Sequence, residues 1–181
     1  MAAVLGLDDE AVETLCTAAA GGGVAEAVNF NSPGQVVVAG DSRAIGRLVE
    51  LAKDAGARRA MLLPVSVPAH SSLMRPAGEA LAHDLDAAVF NAPEIPVICA
   101  VDGKPYGDGE DVRRRMKQQV DSPVRWVATI NHMLGHGVTS IVECGPGRVL
   151  SGLIKRIDRS IATSCVDSAD ALKETITGAL Q

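Results

Sequence analysis

The chain has 181 residues, of which 47% are hydrophobic, 22% are charged and only 2% are aromatic, and its formal net charge is −5. This composition excludes a disordered chain, and the acidic balance argues against nucleic-acid binding, which needs a clustered cationic surface. Because aromatic side chains are so rare, the core must consist of Val, Ile, Leu and Ala, as in layered α/β proteins.

The cysteines are widely scattered and form no Cys-x-x-Cys pair: Cys16, Cys99, Cys144 and Cys165. This pattern is typical of reduced thiols in a cytoplasmic protein rather than of a disulfide framework or a zinc site. The sequence also shows no apolar run of transmembrane length and no signal-peptide pattern. We therefore expect a cytoplasmic protein that does not bind membranes.

The first 65 residues predict alternating strands and helices. The β-rich runs that predict strands are 1–7, 24–30, 35–39 and 59–65, and the helical patterns are 10–20 and 41–55. The apolar face of the second helix is marked by Ile45, Leu48, Val49 and Ala52. The resulting order βαββαβ is ferredoxin-like, so residues 1–64 are predicted to form a small ferredoxin-like subdomain.

The remaining sequence continues this alternation. Helices are predicted at 73–88, 110–120, 124–135, 149–157 and 169–180. Strands are predicted at 96–101, 140–143 and 161–166, with a turn at 102–105. Alternation of this kind implies a parallel sheet with helices on its faces. Three strands are few for such a sheet and leave apolar surface uncovered, which indicates part of a larger structure.

His70 is the first candidate for catalysis. It ends the segment Ser66-Val67-Pro68-Ala69-His70, which follows a β-rich run and precedes a helix. A histidine at such a turn can present its ring to a pocket and act as a general base. A histidine on a surface turn fits the same spacing, and the spacing alone favours that interpretation.

Two further motifs have structural explanations. Residues 40–44 imitate a nucleophile elbow but lack its second glycine, and Asp41 or Ser42 is better explained as a helix N-cap. His132 and His136 have the spacing of two metal ligands on one helix face. No third ligand is evident and glycines flank His136, so we predict a fraying helix end and no metal site.

Two other motifs concern charge. Gly145-Pro146-Gly147 precedes a predicted helix N-terminus, where an anion such as a phosphate can bind, although a tight structural turn explains it better. The basic run at 113–117 is by default a solvated helix face. Its functional alternative is a docking surface for an acidic partner protein.

Four blocks, taken in their order, resemble the malonyl-CoA–acyl carrier protein transacylases. They are NFNSPGQVVVAG at 29–40, LPVSVPAHS at 63–71, FNAP at 90–93 and ECGPGRVL at 143–150. The similarity extends over essentially the whole chain, and several ordered blocks are far more specific than one motif. The resemblance implies an α/β fold in which residues 65–181 form the C-terminal part of an α/β-hydrolase-like acyltransferase core.

The resemblance also implies a reaction and its residues. In this family malonyl passes from malonyl-CoA to a serine ester, and then to the phosphopantetheine thiol of acyl carrier protein in fatty-acid biosynthesis, with no cofactor. His70 matches the general base, and Gln119 matches the residue whose backbone carbonyl orients the imidazole. Asn29 and Asn31 lie in a block near the family's active-site cleft and are candidates for substrate binding.

The chain departs from the family pattern at the nucleophile. Its 181 residues contain no match to the Gly-His-Ser-x-Gly elbow, to the Gly-Gln-Gly-Ser block or to the malonate-binding arginine. In the family these features lie upstream of the βαββαβ unit. We therefore expect a truncated or split enzyme, inactive by itself, whose serine comes from a separate N-terminal fragment.

Three other hypotheses stay open. The first is a polyketide-type acyltransferase that takes another extender unit, since Ala69 lies in a region that affects that choice in relatives. The second is a non-catalytic remnant that binds carrier protein. The third is a small hydrolase that uses Ser42 and His70.

Overall fold

The computed structural model describes residues 1–179 and divides into two compact units, Met1–Thr129 and a second that begins at Ile130. The boundary predicted between residues 64 and 65 stays a prediction. Within the described residues, no helix combines the length and the apolar character needed to cross a membrane.

The first unit opens with a four-stranded sheet made of β1 (Ala2–Leu5), β2 (Ala25–Ser32), β3 (Gln35–Gly40) and β4 (Arg59–Leu62). Helix α1 (Asp9–Ala20) connects β1 to β2, and α2 (Ser42–Asp54) connects β3 to β4. The strands lie in the order β2-β3-β1-β4, and every neighbouring pair is antiparallel. The elements follow one another as predicted, and β2 forms one edge of this sheet.

One face of the sheet packs against α1 and α2 around a core of small aliphatic side chains. Its fully buried members include Val4, Val12, Val36, Val38, Ile45 and Leu48. The predicted apolar face of α2 is confirmed, because all four of its marker residues are buried. Alternate strand residues point to the opposite face, where a smaller cluster contains Ala3, Val28, Val37 and Ala39.

Local hydrogen bonds set the ends of both helices. Asp8 caps α1 by accepting the N–H of Ala11 at 2.7 Å, and α1 ends at Gly21, whose φ is 54°. Asp41 occupies the predicted N-cap position of α2, but its carboxylate makes no hydrogen bond to that helix. It accepts the N–H of Val24 at 2.6 Å, while the Asp41 N–H donates to the Val24 carbonyl at 2.8 Å.

The first unit continues with shorter elements. They are a 3-10 turn (Ser72–Met74), α3 (Arg75–Ala87), β5 (Ile98–Cys99), β6 (Lys104–Pro105) and α4 (Gly109–Gln119), while α5 (Trp126–Gly135) begins in this unit and ends in the second. The strand predicted at 59–65 ends early because Pro64 has no N–H to donate. The strand predicted at 96–101 is reduced to β5, which pairs with β6 inside the predicted turn. Beyond Pro105, the Tyr106 N–H still donates to the Val97 carbonyl at 2.9 Å.

The second unit contains a two-stranded parallel sheet. Strand β7 (Ser140–Cys144) pairs with β8 (Ala162–Val166), α6 (Val149–Ile157) connects them, and α7 (Ala169–Ala179) follows. These bounds agree with the predicted ones to within a residue, and Leu180, the last residue of the predicted helix, lies outside the described residues. Apolar side chains of this unit are exposed, with Val142 at 40% and Val149 at 72%.

Candidate active site

His70 lies on the tight turn between β4 and α3, with the backbone in the left-handed region at a φ of 64°. Among the described residues it is the only one other than glycine with a positive φ. That conformation costs a residue with a Cβ about 1–2 kcal/mol. The turn is held by Ser71, which is fully buried and whose hydroxyl donates to the Pro68 carbonyl at 2.6 Å.

The imidazole of His70 contacts the backbone of Gln119. Its Nδ1 lies 2.9 Å from the Gln119 carbonyl oxygen, across 49 positions of sequence. A carbonyl oxygen can only accept a hydrogen bond, so this contact requires the proton on Nδ1 and leaves Nε2 with a free lone pair. The arrangement therefore presents Nε2 as a proton acceptor, as a general base requires.

Gln119 is available to His70 because it is the last residue of α4. The final carbonyls of a helix have no partner within the helix and carry the negative end of its dipole. The Gln119 side chain has a different environment, since its Nε2 is buried without a hydrogen-bond partner among the described residues. Gln119 thus serves the histidine through its main chain.

The segment after α4 is attached to the free edge of β2. Val124 donates its N–H to the Val28 carbonyl at 2.8 Å, and its carbonyl accepts the N–H of Phe30 at 2.9 Å. The Arg125 guanidinium lies 5.1 Å from the centre of the Phe30 ring, within the range of a cation–π contact. These contacts secure the chain five residues beyond Gln119.

The predicted site residues thus fall into two groups. The structure brings His70 and Gln119 together. Asn29 and Asn31 lie half-buried on β2, where Asn29 stands opposite Val124, and their role in substrate binding stays a prediction.

Glu26 is a residue of this site that the sequence patterns did not reveal. Its carboxylate accepts the N–H of Ser72 at 2.7 Å and the Ser72 hydroxyl at 2.6 Å. The one available signal was a charged side chain inside the β-rich run 24–30. A half-buried carboxylate normally has specific hydrogen-bond donors, but the sequence does not say which donors.

The two histidines with metal-ligand spacing stack on each other. The rings of His132 and His136 have centroids 4.2 Å apart, and Nδ1 of His136 lies 2.8 Å from the His132 carbonyl oxygen. Within the described residues no group of three or more His, Cys, Asp or Glu side chains could hold a metal ion. The two histidines thus contact each other at the C-terminal end of α5.

The backbone N–H groups at the N-terminus of α6 donate to a carboxylate of the protein itself, that of Glu143. The Glu143 carboxylate accepts the N–H groups of Leu150 and Ser151 at 2.9 and 2.8 Å, and the Ser151 hydroxyl at 2.6 Å. The Ser151 hydroxyl and these backbone donors hold the pKa of Glu143 below its ordinary value. The helix dipole acts in the same direction. The structural explanation of the preceding glycine-rich turn therefore fits better than a phosphate site.

The basic run on α4 is neutralised within the protein. Arg113 pairs with Glu110, and Arg114 pairs with Asp111. Arg115 bridges Asp111 at 3.0 Å and Asp102 at 3.1 Å, while Lys117 contacts Asp86 at 2.5 Å. Each cation of the run has an acidic partner, which supports a solvated helix face rather than an unpaired cationic patch.

The fold and this site define a class of protein. The family model described as "Acyl transferase domain" matches residues 1–181. The chain belongs to this acyl transferase family.

Two known relatives of the chain are malonyl CoA-acyl carrier protein transacylases. The chain is 45% identical over 172 residues to the malonyl CoA-acyl carrier protein transacylase of Escherichia coli K12, and 46% identical over 177 residues to that of Haemophilus influenzae. The matches cover 95% and 96% of this chain but only 56% and 57% of the relatives. The chain thus spans little more than half the length of these relatives.

Two solved structures that are similar to the chain are also of malonyl-transferring enzymes. An acyl carrier protein S-malonyltransferase from Vibrio cholerae superposes with a TM-score of 0.93 at 45% identity, covering 96% of this chain and 57% of the other. A malonyl-transacylase solved in complex with its type II PKS acyl-carrier protein superposes with a TM-score of 0.95 at 40% identity, covering 98% and 57%. The α/β fold of the chain is therefore that of these acyltransferases over the shared portion.

Proposed function

We propose that the chain is part of an acyltransferase that moves a malonyl group from malonyl-CoA to the phosphopantetheine thiol of an acyl carrier protein, in fatty-acid biosynthesis. The observation that carries this proposal is the contact of His70 Nδ1 with the Gln119 carbonyl at 2.9 Å, which leaves Nε2 free to accept a proton. The relatives support it, since their names specify malonyl-CoA and acyl carrier protein.

In the proposed reaction, Nε2 of His70 takes the proton of a serine hydroxyl while the serine oxygen attacks the thioester carbonyl of malonyl-CoA. The tetrahedral intermediate collapses, the C–S bond breaks, and the departing CoA thiol receives the proton from His70. The phosphopantetheine thiol then attacks the serine ester and passes its proton to Nε2. Return of that proton to the serine oxygen completes the cycle, which uses no cofactor or metal.

We place the nucleophilic serine outside these 181 residues, because they contain no Gly-x-Ser-x-Gly elbow. Ser42, in the segment that imitates an elbow, begins α2, and the neighbouring Asp41 carboxylate is engaged by Val24. The portion of the relatives' length that these residues do not cover is therefore proposed to supply the serine. By itself the chain is expected to be inactive.

The proposed domain organisation is a ferredoxin-like small subdomain at residues 1–64, followed by part of an α/β-hydrolase-like core. The strand order β2-β3-β1-β4 with α1 and α2 against one face supports the first assignment. The exposed apolar residues beside β7 and β8 support the second, because parallel sheets are normally covered on both faces. The scattered cysteines support a cytoplasmic enzyme.

A second candidate is an acyltransferase of polyketide assembly. The observation that favours it is the TM-score of 0.95 with the malonyl-transacylase in complex with a type II PKS acyl-carrier protein. Transfer rates from malonyl-CoA, methylmalonyl-CoA and acetyl-CoA, each measured with fatty-acid and polyketide carrier proteins, separate the two candidates. A strong preference for acetyl-CoA contradicts both.

Mass spectrometry after incubation with malonyl-CoA tests the proposal. The chain alone should show no covalent malonyl adduct. The chain assembled with the remaining portion of the E. coli relative should show one, and should pass the malonyl group to acyl carrier protein. His70→Ala in this assembly should lower transfer about 10²–10⁴-fold, the usual loss of a general base.

His83→Ala is the matched control, because His83 is an exposed histidine on α3. Transfer by this variant should stay within about twofold of the unaltered assembly, as expected of a surface substitution. A stable adduct on a serine of the isolated chain, or full transfer by His70→Ala, overturns the proposal.

A further inference from the structure

Glu26 fixes the residue that lies two positions after His70. Its Oε2 accepts the Ser72 N–H at 2.7 Å, and its Oε1 accepts the Ser72 hydroxyl at 2.6 Å. Both carboxylate oxygens are thus bound to one residue, 46 positions away in the sequence. We propose that Glu26 is a positioning residue for His70, an inference that rests on the proposed role of His70 as the base.

The turn that carries His70 needs an external anchor. Ser71 donates two hydrogen bonds to the Pro68 carbonyl, from its hydroxyl at 2.6 Å and from its N–H at 3.3 Å, and its own carbonyl accepts the Met74 N–H at 2.9 Å. They close the turn on itself but do not attach it to the sheet. Glu26 belongs to β2, so its two bonds to Ser72 give the turn a fixed position relative to that strand.

The same strand also positions the partner of His70. Through Val28 and Phe30, β2 binds Val124, five residues after Gln119. Phe30 lies four positions after Glu26 on the strand, a distance of about 13 Å at ~3.3 Å per residue. One short segment of β2 therefore holds both the imidazole and the carbonyl that orients it.

Charge makes the Glu26 contact suited to this task. Hydrogen bonds to a carboxylate are shorter and stronger than those between neutral groups, and two bonds from one residue restrict its orientation. A base misplaced by about 1 Å can lose on the order of 10²-fold in rate. A contact that holds the turn to the sheet thus affects catalysis without touching the substrate.

A purely structural role is the competing explanation. Ser72 opens the 3-10 turn that leads into α3, so Glu26 could simply stabilise the start of that helical segment. In that case the loss of Glu26 changes the stability of the fold but leaves the imidazole of His70 in place. The two explanations differ in what happens to the His70 ring in a folded variant.

The tautomer of His70 provides the test. In the chain labelled with ¹⁵N-histidine, long-range ¹H–¹⁵N correlation spectra report whether Nδ1 or Nε2 carries the proton, and His70→Gln identifies the His70 signals. Glu26→Gln keeps the shape of the side chain and removes its charge. We expect it to lower the ratio of the Nδ1–H to the Nε2–H form at least about fivefold, because the turn no longer holds the ring against the Gln119 carbonyl.

Two further variants complete the design. Glu50→Gln removes an exposed carboxylate on α2 that pairs with Lys53, and it should leave the His70 ratio unchanged. Ser72→Ala removes only the hydroxyl bond and should lower the ratio in the same direction, which keeps the inference testable if Glu26→Gln does not fold. An unchanged His70 ratio in folded Glu26→Gln, or in Ser72→Ala if the first variant is unfolded, overturns the inference.

Activity separates this inference from the proposed function. In the enzyme assembled with the remaining portion of a relative, Glu26→Gln should lower kcat about tenfold or more with little change in the KM for malonyl-CoA. If His70→Ala retains transfer, the proposed function fails whatever the tautomer result. If His70→Ala abolishes transfer while Glu26→Gln leaves both kcat and the tautomer ratio unchanged, only the positioning role fails.

Discussion

His70 combines a left-handed backbone with a carbonyl partner that lies far away in sequence. Strained conformations of this kind persist only where surrounding contacts determine them, and here Ser71 and Ser72 provide those contacts on the C-terminal side of the ring. The Ser72 hydroxyl donates to the Glu26 carboxylate, whereas Gln119 contacts the imidazole through its backbone carbonyl and not through its side-chain amide.

Gln119→Met tests that distinction, because the carbonyl stays while the side-chain amide is removed. We expect the Nδ1–H form of His70 to remain the major tautomer in ¹H–¹⁵N correlation spectra. The free energy of unfolding should stay the same or rise by about 1 kcal/mol, since a buried nitrogen without a partner is lost. A shift of His70 to the Nε2–H form contradicts a role confined to the main chain.

At the scale of elements, α2 depends on its buried face. Leu48 is fully buried between the sheet and α1, so Leu48→Ala should lower the free energy of unfolding by about 2–5 kcal/mol. Leu81→Ala on α3 is the control, since Leu81 is 39% exposed and should cost less than about 1 kcal/mol. Urea unfolding followed by circular dichroism measures both, and equal losses refute the assignment of the core.

The start of α6 should respond to pH through Glu143. The Ser151 hydroxyl and the backbone donors hold the pKa of Glu143 below its ordinary value of 4.5. The ionised carboxylate therefore stabilises the start of α6 fully above that pH. This stabilisation is lost as the pH falls through the lowered value, because the protonated acid accepts these bonds poorly. Amide hydrogen exchange at Leu150 and Ser151, corrected for intrinsic rates, should accelerate on acidification.

Glu143→Gln supplies the matched control for this titration. Its exchange at the same two amides should be fast already at neutral pH and should show no further acid-dependent step after the correction. Acid-dependent exchange of equal size in both proteins assigns the effect to another group.

At the scale of the whole molecule, the second unit exposes surface that a completed sheet normally covers. Val142 and Val149 are exposed apolar residues, and Cys144 is an exposed thiol at the end of β7. Assembly with the remaining portion of a relative should therefore slow the labelling of Cys144 by a thiol reagent at least about tenfold.

Cys16 provides the internal reference for that measurement. Burial raises its pKa to about 12, so the reactive thiolate amounts to on the order of 10⁻⁴ of the thiol at pH 8. Cys16 should stay unlabelled in the free and in the assembled chain. Unchanged labelling of Cys144 in an active assembly contradicts the proposed completion of the sheet beside β7.

Local chemistry determined most of the elements. The periodic burial of Ile45, Leu48 and Val49 follows from helical spacing, and the end of β4 follows from the missing N–H of Pro64. Predictions went wrong where pairing decided the outcome, as for the strand at 96–101, because the length of a ladder depends on a neighbour and not on propensity.

By itself the sequence determined the order βαββαβ, the apolar faces and the family resemblance that singled out His70 and Gln119. Only the tertiary structure decided the conformation and the contacts of the histidine. These are its left-handed backbone, the Gln119 carbonyl at 2.9 Å and the hydrogen bonds from the neighbouring Ser72 to Glu26. The physical reason is that propensity and capping act over a few neighbouring residues. The contacts of this site join residues 46 and 49 positions apart, and they form only when β2, the turn and α4 meet.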